Sequence, residues 1–222
     1  MSKWVQTAAL VIACVALQAG VAEAIAIDGS IDALTGSTSS VDYISFTVTQ
    51  TQEIRIDVLS WEENYGSIVD VNGDGEIAYF DTELFLFQDD GSLDAGDFIA
   101  YNGDSDLTFD DGSINSLDSY LSLTLNAGDY LLAIGAYSLS LDEALLGVNS
   151  FSYLTIWDGS HFVFNDHGDY RVTLTSGGVN ESDIRLPNDP PPTIPEPATV
   201  LLLGCGLLAL LTGRERFVRR QT

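Results

Sequence analysis

Residues 70–81, DVNGDGEIAYFD, place oxygen-bearing side chains at alternating positions. Counted from Asp70, the stretch offers Asp70 at position 1, Asn72 at 3, Asp74 at 5, Gly75 at 6, the backbone carbonyl of Glu76 at 7 and Asp81 at 12. That spacing suits a hard divalent cation. Ca2+ takes about 6 to 8 oxygens at about 2.3 to 2.6 Å, alternating residues aim their carboxylates inward, and glycine at position 6 permits the sharp turn. The expected cofactor is Ca2+, with Asp70, Asn72, Asp74, Glu76 and Asp81 as its ligands. The competing reading is a solvated acidic turn, because Asp, Asn and Gly are turn residues and an acidic chain matches such a pattern easily. A second group, Asn102, Asp104 and Asp106, alternates in the same way but has Leu107 where the glycine should stand.

Other chemistry is sparse. The two histidines, His161 and His167, flank an expected hairpin, with Asp166 and Asp169 close to His167. Imidazole and carboxylate together could hold a metal or move a proton, although exposed polar residues are ordinary in such a turn. No G-x-S-x-G elbow, H-E-x-x-H helix or glycine-rich phosphate loop is present. Glu62 and Glu63 lie beside Trp61 and Tyr65, which would suit a glycosidase or a lectin using Trp61, Tyr65 and Trp157. Adjacency in sequence does not supply the carboxylate separation of about 5 to 9.5 Å that glycoside hydrolysis needs. The chain is therefore expected not to be an enzyme.

The elements that must carry these residues read as β-strands. Ile44, Phe46 and Val48 alternate with polar residues, and so do Ile54, Ile56 and Val58. Further runs follow at 82–88, 97–102, 120–125, 129–137, 161–165 and 169–175, separated by Gly, Asn and Asp. Asp89-Asp90-Gly91 reads as a hairpin turn. Only Leu139 to Gly147 has a helical pattern, with Leu141, Leu145 and Leu146 on one side. Two strands begin alike, NAGDYLLAI at 126–134 and DHGDYRVTL at 166–174. Eight short strands predict an all-β fold, a single antiparallel jelly-roll-like β-sandwich.

Residues 25–194 hold 30 of the 33 acidic residues and three of the eight basic ones, a formal charge of −27. Such a body repels nucleic acid and anionic membrane surfaces. Neither Cys14 nor Cys205 falls in it, so no disulfide staples it.

The two ends assign a compartment. Lys3, the apolar run from Ala8 to Ala13 and the triplet Ala22-Glu23-Ala24 form a secretory signal peptide, cut after Ala24, which implies the Sec translocon and signal peptidase as partners. A lipoprotein cut at Cys14 fits less well, because the apolar run continues past it to Ala19. Near the other end, Ala198 to Leu211 would cover about 21 Å as a helix, short of the ~30 Å hydrocarbon core. Arg214, Arg216, Arg219 and Arg220 follow, and positive flanks stay cytoplasmic, so the body faces outside. Six prolines from Pro187 to Pro197 separate the apolar segment from the body. The expected division is a signal peptide (1–24), an acidic β-sandwich (25–185), a Pro-rich linker (186–197), a hydrophobic sorting helix (198–213) and a basic cytoplasmic tail (214–222).

Pro195-Glu196-Pro197, a short apolar helix and a basic cluster resemble the PEP-CTERM sorting signal. The resemblance implies export by a Gram-negative, exopolysaccharide-producing bacterium. It also implies an exosortase, a membrane cysteine protease, that recognises the tripeptide and removes the tail. Pro195, Glu196 and Pro197 are then substrate residues, contact with the membrane is transient, and the protein ends at the cell surface or in the matrix, adhesive or associated with exopolysaccharide. FDTELFLFQDDGS and LTLNAGDYLLAIGAY, within about Val41 to Thr175, are similar to the bacterial pre-peptidase C-terminal type of domain, a small jelly-roll sandwich. The calcium spacing is that of an EF-hand loop, and Val69 to Phe87 resembles half of a dockerin repeat; no second half follows, which argues against cohesin binding.

Overall fold

The computed structural model describes residues 23–35, 37–64, 66–105, 113–179 and 184–185. The expected signal segment up to residue 22 and the linker, sorting helix and tail from residue 186 onward lie outside these residues. The chain divides into two units, Met1–Pro187 and Asn188–Thr222, and all described residues belong to the first.

The strands in chain order are β1 (Glu23–Asp32), β2 (Ser39–Ser40), β3 (Asp42–Val48), β4 (Gln52–Leu59), β5 (Glu63–Asn64), β6 (Ser67–Ile68), β7 (Ala78–Tyr79), β8 (Thr82–Gln88) and β9 (Phe98–Asn102). They continue with β10 (Tyr120–Leu125), β11 (Gly128–Ala136), β12 (Val148–Asn149), β13 (Thr155–Trp157), β14 (Phe162–Phe164), β15 (His167–Ser176) and β16 (Ile184–Arg185). One α-helix, α1 (Leu141–Leu146), is described.

Two antiparallel sheets carry the fold, one in the order β1-β15-β4-β10 and one in the order β16-β3-β11-β8-β9. The chain crosses repeatedly from sheet to sheet, as between β3 and β4 and between β10 and β11. The result is an all-β antiparallel sandwich. Period-two alternation supplies its core: Ile54, Ile56, Val172 and Leu174 from one sheet belong to the same buried cluster as Ile44, Phe46, Leu84 and Leu132 from the other. Each such side chain contributes about 1.5 to 3 kcal/mol on burial. The GDY echo has a structural counterpart, because Tyr130 on β11 and Tyr170 on β15 come from opposite sheets into this one core.

β1 was not among the expected strands. Asp28-Gly29-Ser30 reads locally as a turn, yet the backbone runs straight through it, paired with β15 from Glu23↔Ser176 to Asp32↔His167. Gly29 is there for room, since a Cβ at that position would lie 2.4 Å from the Tyr170 ring. The strand overlaps the last two residues of the expected signal segment, and a cut after Ala24 leaves Ile25–Asp32 still paired.

The outer face of the second sheet is also covered. Phe85, Phe87 and Ala133 pack there with Leu139 and Ala144, and Leu141 and Leu145 lie against them. Leu146 departs from the expected apolar side of the helix, being 78% exposed, while Ala144 is the fully buried residue. Ser140 and Glu143 form a capping box and Gly147 closes the helix in the left-handed region at φ 76°. Burial opposes the charge on Glu143, but hydrogen bonds from Ser140 and Ser150 outweigh it and lower its carboxyl to about 2.

Candidate functional site

The acidic loop hangs from a buried glutamate. Glu62 is fully buried, and its carboxylate accepts from Val71 N at 2.6 Å and from Ala78 N at 2.5 Å, clamping both ends of the loop. Burial raises its carboxyl to about 7 against the pull of these two amides. Within the loop, Asp70 accepts from Gly73 N at 2.6 Å and Gly75 N at 2.9 Å. Asp74 accepts from Glu76 N at 2.7 Å and from the Asn72 amide at 2.9 Å. Gly73 and Gly75 have φ values of 77° and 89°, which other residues adopt only with strain.

The loop meets the second sequence motif. His167 Nε2 lies 3.8 Å from Asp74 Oδ2, 3.8 Å from Glu76 Oε2 and 3.5 Å from Asp169 Oδ2. Its Nδ1 is 2.7 Å from Asp166 Oδ1. Ligand atoms of Asp74, His167 and Asp169 all lie within 4.8 Å of one another, an arrangement that could hold a metal ion. Arg171 braces the loop from β15, donating to Val71 O at 3.1 Å while gripping Asp28 through two hydrogen bonds. Burial disfavours the charged imidazole of His167, but Asp166, Asp169 and Glu76 outweigh it and raise its pKa above the usual value. Burial chiefly raises Asp169, with Asp74, Glu76 and Asp70 adding to it and His167 opposing.

Asp81 stands elsewhere. The chain leaves the loop through β7, which pairs with β13, and the charges that act on Asp81 are those of Asp104, Glu83 and Asp118. The structure thus brings Asp70, Asn72, Asp74 and Glu76 together with His167 and Asp169, and sets Asp81 apart from them. Asn102 is committed to the backbone, accepting from Tyr120 N at 2.8 Å, and Asp106 lies outside the described residues.

Asp81 instead lines an aromatic cleft of about 270 Å³ with Trp61, Tyr79, Tyr137, Tyr153 and Phe162. Trp61 meets Tyr79 edge-on at 5.4 Å, Tyr79 meets Phe162 at 5.1 Å, and Trp157 meets Phe162 at 5.1 Å. Tyr153, on another wall of the same cleft, stacks on Phe164 at 5.6 Å. Much of the aromatic surface faces solvent: Tyr137, Tyr153, Trp157, Phe162 and Phe164 are all exposed. Asp118 sets the position of Trp61, accepting from its backbone N–H at 2.8 Å and from that of Ser60 at 2.8 Å. Burial, reinforced by Asp104, Glu83 and Asp118, pushes the Asp81 carboxyl up to about 7.

Trp61 and Trp157 therefore join one aromatic surface, while the side chain of Tyr65 lies outside the described residues. Glu62 and Glu63 do not act as a pair: Glu62 is buried in the loop clamp, and Glu63 accepts from Gly66 N at 2.7 Å. Ser160, His161 and Asp158 also cluster, but Ser160 Oγ at 2.8 Å and Asp158 Oδ2 at 3.2 Å both approach Nδ1 of His161. A nucleophile relay needs its two partners on different ring nitrogens.

Comparison with known proteins decides the fate of the tail. The family model described as the PEP-CTERM protein-sorting motif matches residues 193–220. The chain carries a PEP-CTERM sorting signal. It is an exported protein, held transiently at the membrane and processed by an exosortase, with Pro195, Glu196, Pro197 and the four terminal arginines inside the match. No curated protein matches the chain. Among solved structures, the pre-peptidase C-terminal domain of a collagenase from Bacillus anthracis is similar at 15% identity and a TM-score of 0.35, over 68% of this chain and 87% of that one. Among the described residues no helix is long and apolar enough to cross a membrane, and segment 198–213 lies outside them.

Proposed function

We propose that the sandwich is a non-catalytic module of the cell surface or extracellular matrix that associates with exopolysaccharide through the aromatic cleft. The carrying observation is the ring surface formed by Trp61, Tyr79, Tyr153, Phe162 and Phe164, exposed over much of its extent on a body otherwise dominated by carboxylates. Aromatic side chains present a broad apolar body with a polar tip, which suits a ligand with one flat apolar face and a rim of hydroxyls. An exposed apolar patch of this kind marks an interaction surface. The non-catalytic part of the reading is supported by the carboxylates themselves, since Glu62 and Asp118 are consumed by backbone N–H groups.

Ca2+ is proposed as a stabiliser of the acidic loop, with Asp74 and Asp169 as the convergent oxygens, Glu76 close by across His167, and Asp70 and Asn72 shaping the turn. Asp81 has no part in that set. The division into a signal segment, a sandwich of residues 25–185, a linker, a sorting helix and a basic tail is retained.

The test is a screen of the purified chain against isolated polysaccharides, read both for binding and for release of reducing sugar. Binding without release is expected. Release of sugar overturns the non-catalytic reading, and failure to bind any polysaccharide overturns the association.

A further inference from the structure

Stacking alone does not account for the carboxylate in the cleft. Asp81 is part-buried in its wall, and none of the hydrogen bonds among the described residues reaches its carboxylate. Because it faces the cleft, its oxygens keep their full acceptor capacity for a donor that enters there. Of the acidic groups beside it, Asp104 is exposed and does not line the cleft, while Glu83 and Asp118 have donors of their own. Glu83 accepts from the Tyr101 hydroxyl at 2.9 Å and from Leu139 N, and Asp118 accepts from four backbone N–H groups. Among the described residues, Asp81 is the carboxylate that lines the cleft, with its bonding capacity unspent.

The other walls favour the same kind of ligand. The faces of Trp61, Tyr79, Tyr137, Tyr153 and Phe162 carry negative ring quadrupoles, which attract a cation placed over them. Among the described residues neither lysine nor arginine lines the cleft to supply one. At about 270 Å³ the space lies at the small end of ligand pockets, suited to one residue of a longer polymer. The body as a whole, at a formal charge of −27, repels polyanions and attracts polycations.

We propose that the cleft binds a protonated amino-sugar residue of a polysaccharide, its ammonium paired with Asp81 and its ring face held by the aromatic wall. This inference rests on the polysaccharide reading above and adds the charge of the ligand to it. The amine supplies the hydrogen-bond donors that Asp81 lacks. An N-acetylated or neutral sugar satisfies the aromatic wall alone, and a uronic acid is repelled.

The experiment titrates the full chain at neutral pH and low salt with three tetrasaccharides, a β-linked glucosamine, its N-acetylated form and a β-linked glucose, and with tetramethylammonium. The glucosamine oligomer is expected to bind about tenfold or more tighter than the other two sugars, the order of one charge-assisted contact. Asp81→Asn should abolish that preference while leaving the weaker sugars unchanged. Tyr153→Ala, which removes an exposed ring and keeps the fold, should weaken all three sugars together. Equal binding of the three sugars overturns the charged-ligand inference and leaves the polysaccharide reading standing. Binding of none overturns both. Tetramethylammonium binding as tightly as the glucosamine oligomer overturns the amino-sugar assignment in favour of a generic cation site.

Discussion

Acidification should stabilise this protein over a range where many proteins are indifferent or begin to weaken. Burial raises Glu83, Asp118 and Asp169 above the ordinary carboxylate range, and with them Asp42 to about 6 from an ordinary 3.8, Glu62 to about 7 from 4.5 and Asp81 to about 7 from 3.8. In each, burial is the largest cause. A carboxyl whose folded value exceeds its unfolded one binds more protons in the native state between the two values, so stability falls as pH rises through that window. Between about pH 7.5 and about pH 5, with allowance for solvent screening of groups that are not fully enclosed, Asp42, Glu62 and Asp81 each gain on the order of 1 kcal/mol on protonation, about 3 kcal/mol together. His167, raised for its own reasons, works in the same direction, its contribution present at low pH and lost as pH climbs past its folded value. Glu143, at about 2, and the lowered Asp74 and Asp158 do not oppose this above about pH 5, because their unfolded forms are ionised there as well. Urea unfolding followed by tryptophan fluorescence at fixed ionic strength measures the effect. The midpoint should rise steadily from about pH 7.5 to about pH 5, and Asp81→Asn should flatten part of the slope. A midpoint that is level or falls on acidification refutes the reasoning, since it would mean that these carboxylates are ionised in the folded state at no cost.

Gly29→Ala should lower stability by about 1 to 3 kcal/mol, because the new methyl meets the Tyr170 ring at 2.4 Å; an unchanged melting temperature would mean that β1 does not pack on β15 as described. Asp118→Asn keeps one carbonyl oxygen for Ser60 and Trp61 but turns an amide toward Ile114 N and Asn115 N, two donors that then lose their acceptor. A loss of about 2 to 4 kcal/mol in denaturant unfolding is expected, with a weakened cleft, and a loss below about 0.5 kcal/mol would count against it. Ca2+ at about a hundred times its dissociation constant should raise unfolding free energy by about 3 kcal/mol, and Asp74→Ala with Asp169→Ala should remove the gain. If Mg2+ at equal ionic strength does the same, the loop is a solvated acidic turn and the calcium reading fails.

Much of the sandwich was legible because alternation is a local signal. Ile44, Phe46 and Val48 on β3 and Ile54, Ile56 and Val58 on β4 are buried as their spacing requires, and β8 and β10 keep the bounds read from the chain. β1 was illegible for a non-local reason: Gly29 looks like a turn residue and serves instead as clearance for a tyrosine about 140 residues away. The candidate sites divide in the same way. The turn-forming roles of Asp70, Asn72 and Asp74 follow from their spacing, but the arrival of His167 and Asp169 beside Asp74 depends on β15 and could not be counted along the chain. Spacing placed Asp81 with the loop, whereas β7, drawn to β13, carries it to the cleft. The aromatic surface was half visible: Trp61 and Trp157 stood out, Phe162 and Phe164 lie in the expected strand 161–165, and Tyr79 and Tyr153 come from segments outside the expected strands.

The most direct measurement is mass spectrometry of the C-terminus of the exported protein in a host that makes an exosortase, alongside a variant with Pro195, Glu196 and Pro197 replaced by alanine. The account predicts that the native chain lacks the apolar segment and the arginines from Arg214 to Arg220, and that the variant retains them. Recovery of the native protein with Arg220 intact would contradict it.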